Sequence, residues 1–316
     1  MQNAIVTTDA ANEDSDVFEE LFDFPADCTG PACTMRVVVP SRAAYVESLA
    51  KVVRAARNNG GTLADMLDNI EIEHHQIWGA GLGLAALLRG LPLDGFQVCE
   101  LGCGLGIGGI AATAAGAGAV VCTDLPAVVS DVASLLEKSA TANNFGDRMC
   151  CKPLDWAQPH NFCEQICDAT KGFDLVVGAD ILYGKKMGEL LSALLAHSSV
   201  LAEGGLYIIV DSDRAYQAQA LAAFREAGLS VRTQRLHTCV VADQELGKGQ
   251  VISRMDTVIV GSKGQMLPHL FAVDAALRRL QAEGQEEASQ VHPVHTRKEL
   301  KVKVSNADIQ QLLEMG

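Results

Sequence analysis

The sequence predicts an α/β fold in which helices cover both faces of a mostly parallel sheet. Five short, almost wholly apolar segments have the character of parallel strands buried on both faces: 96–101, 119–123, 148–154, 173–179 and 205–211. Helical patterns follow four of these segments, at 107–117, 127–143, 186–201 and 214–227. This alternation of strand and helix is typical of a doubly wound sheet.

The end of the predicted sheet departs from this alternation. Two further strands are predicted at 229–236 and 256–261, and about twenty mostly polar residues without a helical pattern join them. Parallel neighbours need a crossover connection, which is usually a helix. We therefore expect the last strand of this seven-stranded sheet to be antiparallel.

The segments that flank the predicted sheet differ from it in composition. Residues 1–33 contain eight acidic residues and no basic ones, so they are predicted to form an acidic flexible tail. Residues 34–95 are predicted to form a helical extension that leads into the fold, with a short strand at 35–39 and an amphipathic helix at 41–58. The core is assigned to 96–265, and 266–316 are assigned to a C-terminal helix and a loose tail.

Charge and cysteine content limit the partners of the chain. Its 316 residues carry a net charge of −14 at pH 7. So negative a chain is poorly suited to neutralising phosphates, and no nucleic-acid partner is expected. None of the ten cysteines has the spacing of a zinc site, so no metal is expected. Several cysteines lie in apolar runs, as packed free thiols do, which favours a reducing compartment.

The sequence also bears on location. The acidic N-terminus has no apparent signal peptide. Residues 101–123 carry no charge, but seven of them are glycine, which indicates short elements and turns and not a bilayer span. We therefore expect no membrane partner and a cytoplasmic location, with the nucleus as a second one. The protein is expected to be a monomer.

The first predicted strand runs into a glycine-rich turn. The strand runs through Glu100 to residue 101, and Gly102, Cys103 and Gly104 follow it directly. Alternating glycines permit a sharp turn and a close backbone approach to a ligand, and the next helix directs its free N–H groups to the same place. Asp124 ends the second strand, 22 residues after Gly102, where a carboxylate binds the ribose hydroxyls of a nucleoside. These residues predict a nucleotide-like cofactor.

Two classes of cofactor are compatible with this turn. Gly104, Gly106 and Gly109 form a GxGxxG pattern of the kind that dinucleotide-binding oxidoreductases carry, although glycine-rich helices also produce it by chance. Glu100 stands two residues before the first glycine, as an acidic residue does in S-adenosylmethionine enzymes. An acid at that place suits a cationic cofactor and would repel a pyrophosphate.

Five segments of the chain resemble one family of enzymes. They are WGAGLGLA from Trp78, ELGCGLGIGG from Glu100, CTDLP from Cys122, LDW from Leu154 and FDLVVGADILY from Phe173. In this order they resemble methyltransferase family 16, the seven-β-strand protein-lysine methyltransferases. The resemblance covers about residues 75–262. The last segment is its most diagnostic part, because it matches the family's D-x-x-Y signature after the fourth strand.

The resemblance implies a Rossmann-like class I methyltransferase fold with S-adenosyl-L-methionine as the cofactor. Trp78 would lie against the methionine side of the cofactor, and Asp124 would hold its ribose. Trp156 would stack on or wall the adenine, and Ala179 would close the pocket through its backbone. The expected cofactor-binding residues are Trp78, Glu100, Gly102, Cys103, Gly104, Asp124, Trp156 and Ala179.

The resemblance also implies that Asp180 and Tyr183 face the transferred methyl group and the acceptor amine. A lysine has a reference pKa of about 10.4, so its deprotonation near neutral pH costs about 4 kcal/mol. An aromatic wall such as Tyr183 would desolvate the amine and lower that cost. Because a free carboxylate opposes deprotonation, Asp180 is assigned to orienting the substrate and not to base catalysis.

The leading interpretation is an S-adenosylmethionine-dependent N-methyltransferase whose partner is a protein substrate, with lysine as the acceptor. A second interpretation is methylation of a small amine or of another side chain such as histidine. A third is a dinucleotide-binding oxidoreductase that uses the overlapping GxGxxG. A fourth is a binding module that kept the fold without catalysis. The Asp180-x-x-Tyr183 segment favours methyl transfer, since an oxidoreductase has no use for it there.

Overall fold

The computed structural model describes residues 17–24, 31–41, 76–158, 172–197, 199–244 and 247–288, together with residues 26 and 44. Its strands are β1 (Val17–Phe24), β2 (Cys33–Pro40), β3 (Gln97–Leu101), β4 (Ala119–Asp124), β5 (Met149–Pro153), β6 (Phe173–Ala179), β7 (Leu201–Asp211), β8 (Arg232–Gln244) and β9 (Gly247–Ser262). Its helices are α1 (Gly79–Leu88), α2 (Ile107–Ala114), α3 (Pro126–Ala142), α4 (Met187–Ala196), α5 (Gln217–Glu226) and α6 (Phe271–Ala288).

The described strands form one nine-stranded sheet in the order β2-β1-β8-β9-β7-β6-β3-β4-β5. Strands β3 to β7 are parallel, and β9 is antiparallel to both of its neighbours, β7 and β8. The predicted parallel sheet with an antiparallel last strand is therefore confirmed, and its seven strands are β3 to β9. The chain leaves β3 first toward β4 and later returns to β6 on the other side. Such a reversal opens a crevice at the carboxyl ends of the strands.

Helices bury both faces of the parallel strands. On β3, Val98 belongs to an apolar cluster that includes residues of α1, α2 and α3. Its neighbour Cys99 belongs to a second cluster, on the other face, that includes residues of α4 and α5. Successive side chains of a strand point to opposite faces, and here both faces are apolar. This explains why these strands read as continuous apolar runs.

The first helix of the core is buried on nearly every side. Its sequence GAGLGLAALL contains no charged residue, and every residue from Ala80 to Leu88 is buried. A helix that is apolar all round belongs in the interior of a protein. Its small residues permit close packing, because a Cβ on Gly83 would lie 2.8 Å from Oδ2 of Asp256.

The N-terminal residues form a hairpin, which corrects the sequence prediction. Strand β1 pairs with β2 and with the end of β8, so residues 17–24 are not a flexible tail. The short strand predicted at 35–39 is confirmed as β2, although it belongs to this hairpin and not to a helical extension. Within β1, Phe22 and Phe24 are buried in the main core, whereas Asp23 between them is exposed. The acidic composition hid this alternation, since the charged residues occupy mainly the outward positions of the strand.

The hairpin packs across the helices of the core. The backbone N–H of Val38 donates a hydrogen bond to Oγ of Ser139 in α3 at 2.8 Å. At the end of α1, the Arg89 guanidinium lies over the Phe24 ring, 5.5 Å from its centroid, and donates to the Pro31 carbonyl. The hairpin therefore connects one edge of the sheet to helices on its face.

Other predictions fall at the margins of the described residues. The amphipathic helix predicted at 41–58 lies outside them, as do residues 289–316. The C-terminal helix α6 occupies Phe271–Ala288, and its residue Asp274 forms an ion pair with Arg232 of β8. None of the described helices has the length and apolar character that a membrane crossing requires.

Candidate active site

A cavity of about 520 Å³ opens at the carboxyl ends of β3, β4 and β6. This volume lies within the usual range for sites that bind small molecules. The structure brings all ten residues of the predicted site to its wall: Trp78, Glu100, Gly102, Cys103, Gly104, Asp124, Trp156, Ala179, Asp180 and Tyr183. Segments that lie up to about a hundred positions apart in the chain thus meet in one place.

The glycine turn needs its glycines for conformational reasons. Gly102, Gly104 and Gly106 have φ values of +59°, +49° and +70°, in the left-handed region that side chains disfavour. A Cβ on Gly102 would also lie 3.4 Å from the ring of Trp156 and 3.0 Å from Ile181. The ring of Trp156 is therefore close to the turn, on the side where the family resemblance expects the adenine.

Asp124 fixes this turn to the end of β4. Its Oδ2 accepts a hydrogen bond from the Gly104 N–H at 2.9 Å, and its Oδ1 accepts one from the Leu125 N–H at 2.8 Å. The Cys103 N–H donates to the carbonyl of Thr123 at 3.0 Å. Asp124 also lines the cavity, so this carboxylate can hold the turn and accept hydroxyl donors of a ligand.

Glu100 supports the turn from the protein interior. Its Oε1 and Oε2 accept hydrogen bonds from the N–H groups of Gly108 and Gly109, at 3.1 and 2.8 Å. A carboxyl group at the first turn of α2 satisfies amides that the helix leaves unpaired. Burial raises the pKa of Glu100 to about 7, although these hydrogen bonds act in the opposite direction.

The same contacts explain the GxGxxG pattern. A Cβ on Gly109 would lie 2.4 Å from Sγ of Cys122 and 3.1 Å from Oε2 of Glu100. Gly109 is therefore required by packing around the buried carboxyl group, a role that the third glycine also has in dinucleotide-binding folds. What disfavours a pyrophosphate is that the Gly108 and Gly109 amides at the start of α2 already bind Glu100.

The thiols beside the turn are buried and protonated. Hydrogen bonding to Cys122 and Cys151, together with burial, raises the pKa of Cys103 well above its ordinary value. Cys122 in turn donates to Oε2 of Glu100 at 3.5 Å. Because the reactive form of cysteine is the thiolate, Cys103 packs as a small side chain at the cavity wall and is not a nucleophile.

Asp180 is held by several parts of the fold. It has a positive φ of +54°, and its side chain is only 4% exposed. Its Oδ2 accepts a hydrogen bond from the Ala80 N–H at 3.1 Å. Its Oδ1 accepts from the Ser212 hydroxyl and from Nε of Arg214 at 3.4 Å. The carboxylate thus joins the start of α1 to the ends of β6 and β7.

Tyr183 differs from Asp180 in its exposure. The two residues lie in the same loop after β6 and both line the cavity, but Tyr183 is 55% exposed. An aromatic side chain at the mouth of a cavity is placed to contact an incoming group. The two residues that the resemblance places at the methyl group and the amine thus differ in their access to a ligand.

Sequence reasoning missed Arg214 as a residue of the site. It follows β7 by three positions and lines the cavity. Its guanidinium carbon lies 5.6 Å from the centroid of the Trp78 ring. The rule that pointed to Asp180, namely that sites form at the carboxyl ends of parallel strands, applies equally to β7 and would have found it.

A polar network behind Asp180 was also missed. Arg254 donates to both carboxylate oxygens of Asp256, from Nε at 2.7 Å and from Nη2 at 2.5 Å. Nη2 of Arg254 also donates to Oγ of Ser212 at 3.0 Å, and Ser212 donates to Asp180. Burial raises the pKa of Asp256, and its partner Arg254 opposes that shift. The wall of the cavity is thereby connected to strand β9.

The strand order and the glycine turn define the chain as a class I methyltransferase fold. The model of the lysine methyltransferase family matches residues 68–224. This range contains every residue that lines the cavity. The segment 68–224 of the chain belongs to that family.

Curated relatives agree with this family. Protein-lysine N-methyltransferase rrg1 of Schizosaccharomyces pombe is 32% identical over 116 residues, which are 36% of this chain and 38% of the relative. Protein-lysine N-methyltransferase EFM2 of Saccharomyces cerevisiae is 29% identical over 146 residues, 43% of this chain and 29% of the relative. The chain thus spans less than two fifths of the length of either relative.

A solved structure, that of a putative RNA methyltransferase from Pyrococcus horikoshii, aligns with 58% of this chain and 84% of its own. The TM-score of this alignment is 0.41 and the sequence identity is 15%.

Proposed function

We propose that the protein is an S-adenosylmethionine-dependent methyltransferase that transfers a methyl group to a protein side chain, with lysine as the acceptor. One observation carries this proposal. The glycine turn, Asp124 and the Asp180-x-x-Tyr183 loop meet in a single cavity, and that cavity lies within the segment of the lysine methyltransferase family. The names of both curated relatives support lysine in a protein as the acceptor.

The residues of the cavity fit the proposed cofactor. S-adenosylmethionine carries a sulfonium, an ammonium group and a carboxylate, so its net charge is positive. The acids that line the cavity are Glu100, Asp124, Asp155 and Asp180. Among the lining residues that the structure describes, the basic side chains comprise Arg214 alone. This charge pattern suits a cation with one anionic group, and the positive-φ glycines allow its close approach.

Each proposed contact on the cofactor side has a separate task. Asp124 would accept the ribose hydroxyls, and Trp156, which lies near Gly102, would wall the adenine. Trp78, at the start of α1, would lie along the methionine side. When bound, the cofactor supplies an electrophilic methyl group, and the protein contributes orientation and exclusion of water.

On the acceptor side, the residues have unequal roles. Tyr183 is exposed at the mouth and would contact the lysine side chain, removing water from its amine. Desolvation disfavours the charged ammonium and so lowers the cost of about 4 kcal/mol for losing the proton near neutral pH. Asp180 already receives three hydrogen bonds from the protein, which supports a role in positioning the wall more than direct contact with the amine.

The remaining expectations stand as part of this proposal. We expect a monomer whose protein substrate is met in the cytoplasm, with the nucleus as a second location. Methylation of a small amine or of histidine by the same site is the alternative, and the identity of the labelled acceptor in a cell lysate distinguishes it from lysine methylation. The oxidoreductase interpretation is disfavoured because Glu100 already occupies the Gly108 and Gly109 amides, which a pyrophosphate at the start of α2 would need.

Cofactor binding can be tested by calorimetry with S-adenosylhomocysteine and, in parallel, with NAD. We expect S-adenosylhomocysteine to bind, and Asp124→Ala to weaken its binding by about 1–3 kcal/mol through lost charge-assisted hydrogen bonds. Asp131→Ala is the matched control, because Asp131 is an exposed acid of α3 away from the cavity. Tight binding of NAD without any response to S-adenosylhomocysteine would overturn the proposed function.

A further inference from the structure

The charges around the cavity are unevenly distributed. Four acidic residues line it, and Arg214 is the sole lysine or arginine among the lining residues that the structure describes. A methyl donor built on an amino acid brings one carboxylate into this acidic surrounding. That carboxylate needs a cationic partner, because an ionised group buried without one is strongly disfavoured.

Arg214 is held in a way that suits this task. Its guanidinium lies over the Trp78 ring, 5.6 Å from the centroid, and its Nε donates to Asp180 at 3.4 Å. Arginine can stack on an aromatic ring by its face while its N–H groups, which lie in the plane of the guanidinium, bind a carboxylate in bidentate fashion. The side chain is 30% exposed, so it is neither sealed in the core nor free in solvent.

The position of Arg214 specifies which part of a ligand it meets. It stacks on Trp78, the residue expected along the methionine side of the cofactor. It also contacts Asp180, in the loop expected near the reacting methyl group. Arg214 therefore lies beside the residues expected at the amino-acid part of the donor and near its methyl group.

We propose that Arg214 binds the α-carboxylate of the amino-acid part of the methyl donor. This assignment rests on the proposed function, since it needs a donor of that chemistry. The ion pair with Asp180 and the stack on Trp78 then act as supports that orient the guanidinium. The same arginine connects the bound cofactor to Asp180, and through Ser212 to Arg254.

The competing explanation is that Arg214 only positions Trp78 and Asp180. A pair of ligands separates the two explanations, because they differ in one group only. S-adenosylhomocysteine has the α-carboxylate, and its decarboxylated analogue lacks it. A residue that binds the carboxylate affects only the first ligand, whereas a residue that shapes the cavity affects both.

The experiment is a calorimetric titration of both ligands into the wild-type chain, Arg214→Gln and Arg214→Lys. We expect Arg214→Gln to weaken S-adenosylhomocysteine roughly 10- to 100-fold, the usual effect of losing a hydrogen bond to a charged group. The decarboxylated analogue should change less than about threefold. The affinity of Arg214→Lys for S-adenosylhomocysteine should lie between those of the wild type and Arg214→Gln, because lysine keeps the charge but lacks the planar guanidinium.

A matched control is available in the same region. Arg235 forms an ion pair with Asp213 outside the cavity lining, so Arg235→Gln should leave the binding of both ligands unchanged. Circular dichroism and the thermal midpoint of each variant show whether it is folded. If Arg214→Gln is not folded, the two ligands are compared with the Arg214→Lys variant instead.

Each outcome decides the assignment. A loss confined to the ligand with the carboxylate supports it. An equal loss for both ligands, or no loss for either, overturns it while leaving the proposed function intact. If the wild-type chain binds neither ligand, the proposed function fails and the role of Arg214 fails with it.

Discussion

The cavity has one wall formed by β3 and β4 and another formed by β6 and β7. Hydrogen bonds within a short stretch of the sequence hold the first wall, whereas hydrogen bonds between residues far apart in the sequence hold the second. In the first wall, Glu100 and Asp124 bond backbone amides of the turn and helix that lie between them in the sequence. In the second wall, Asp180 bonds partners at positions 80, 212 and 214. The first wall is the proposed cofactor side. The second is the proposed acceptor side, except that its Arg214 is proposed to bind the carboxylate of the cofactor.

This difference predicts that changes in the two walls have different effects on cofactor affinity and on the rate of methyl transfer. A change in the first wall removes groups that are proposed to contact the cofactor, or groups that hold the glycine turn in place. A change in the second wall disturbs the start of α1, the Trp78 ring and the loop that carries Tyr183. Misplacement of reacting groups by about 1 Å can lower a rate about 100-fold, so changes in the second wall other than at Arg214 should affect the methyl transfer step more than binding.

The largest difference between the walls should appear in stability. Asp180→Ala removes the partner of the Ala80 N–H and places alanine at a positive φ, so the free energy of unfolding should fall by about 3 kcal/mol. Asp124 is less buried, and Asp124→Ala should cost about 1–2 kcal/mol. Urea denaturation of both variants measures this. Equal losses would show that the two walls are built alike.

A conservative variant sharpens that result. Asp180→Asn keeps a residue that tolerates positive φ and retains a hydrogen-bond acceptor, but it loses the charge that pairs with Arg214. Its free energy of unfolding should lie between those of the wild type and Asp180→Ala. A loss as large as that of alanine would assign the whole effect to the charge.

The next effect concerns Tyr183. Tyr183→Ala should lower the rate of methyl transfer about 100-fold, while affinity for S-adenosylhomocysteine changes less than tenfold, about 1.4 kcal/mol. Tyr183→Phe should keep most of the activity, because the ring and not the hydroxyl forms the wall. Tyr216→Ala is the matched control, since Tyr216 is a half-exposed tyrosine outside the cavity lining. Full activity in Tyr183→Ala would contradict the acceptor role.

The smallest effect is the pH dependence that Glu100 contributes to stability. Its pKa in the folded protein is about 7, raised from 4.5 by burial. A carboxyl with a raised pKa stabilises the fold most below about pH 4.5, and that contribution is lost as pH rises toward 7. Between pH 5 and 7 the loss is about 2 kcal/mol.

The variant Glu100→Gln isolates this contribution, because glutamine does not titrate. The difference in unfolding free energy between the wild type and Glu100→Gln should move in favour of the variant as pH rises from 5 to 7. A difference that stays constant over this range would show that Glu100 has the same pKa in the folded and unfolded chain.

The sequence predicted the first wall well and the second wall less well, for a physical reason. The glycine turn, Glu100 and Asp124 interact over a short stretch of chain, so their spacing carries the information. Arg214, Ser212 and Arg254 become neighbours only through the pairing of β6, β7 and β9, which no local pattern encodes. The prediction that Asp180 lies at the cavity is confirmed. The hydrogen bonds that its carboxylate accepts could not be predicted, because they depend on those long-range contacts.

The N-terminal hairpin illustrates a second kind of failure. Its acidic composition predicted a solvated tail, yet Phe22 and Phe24 are buried and Glu19 and Asp23 are exposed. The high negative charge of the segment obscured the alternation of buried and exposed residues, which has the two-residue period of a strand. In the parallel core, by contrast, apolar runs predicted the strands well because both faces of the sheet are buried.

The central claim, transfer of a methyl group to a lysine of a protein, is tested most directly by one labelling experiment. The wild-type chain and Tyr183→Ala are incubated with S-adenosylmethionine that carries an isotopic methyl label and with a cell lysate, and mass spectrometry locates the label. We expect labelled Nε-methyl-lysine in a protein with the wild type and about a hundredfold less with the variant. Label found only on small molecules or on another side chain, or no transfer at all, would contradict the account.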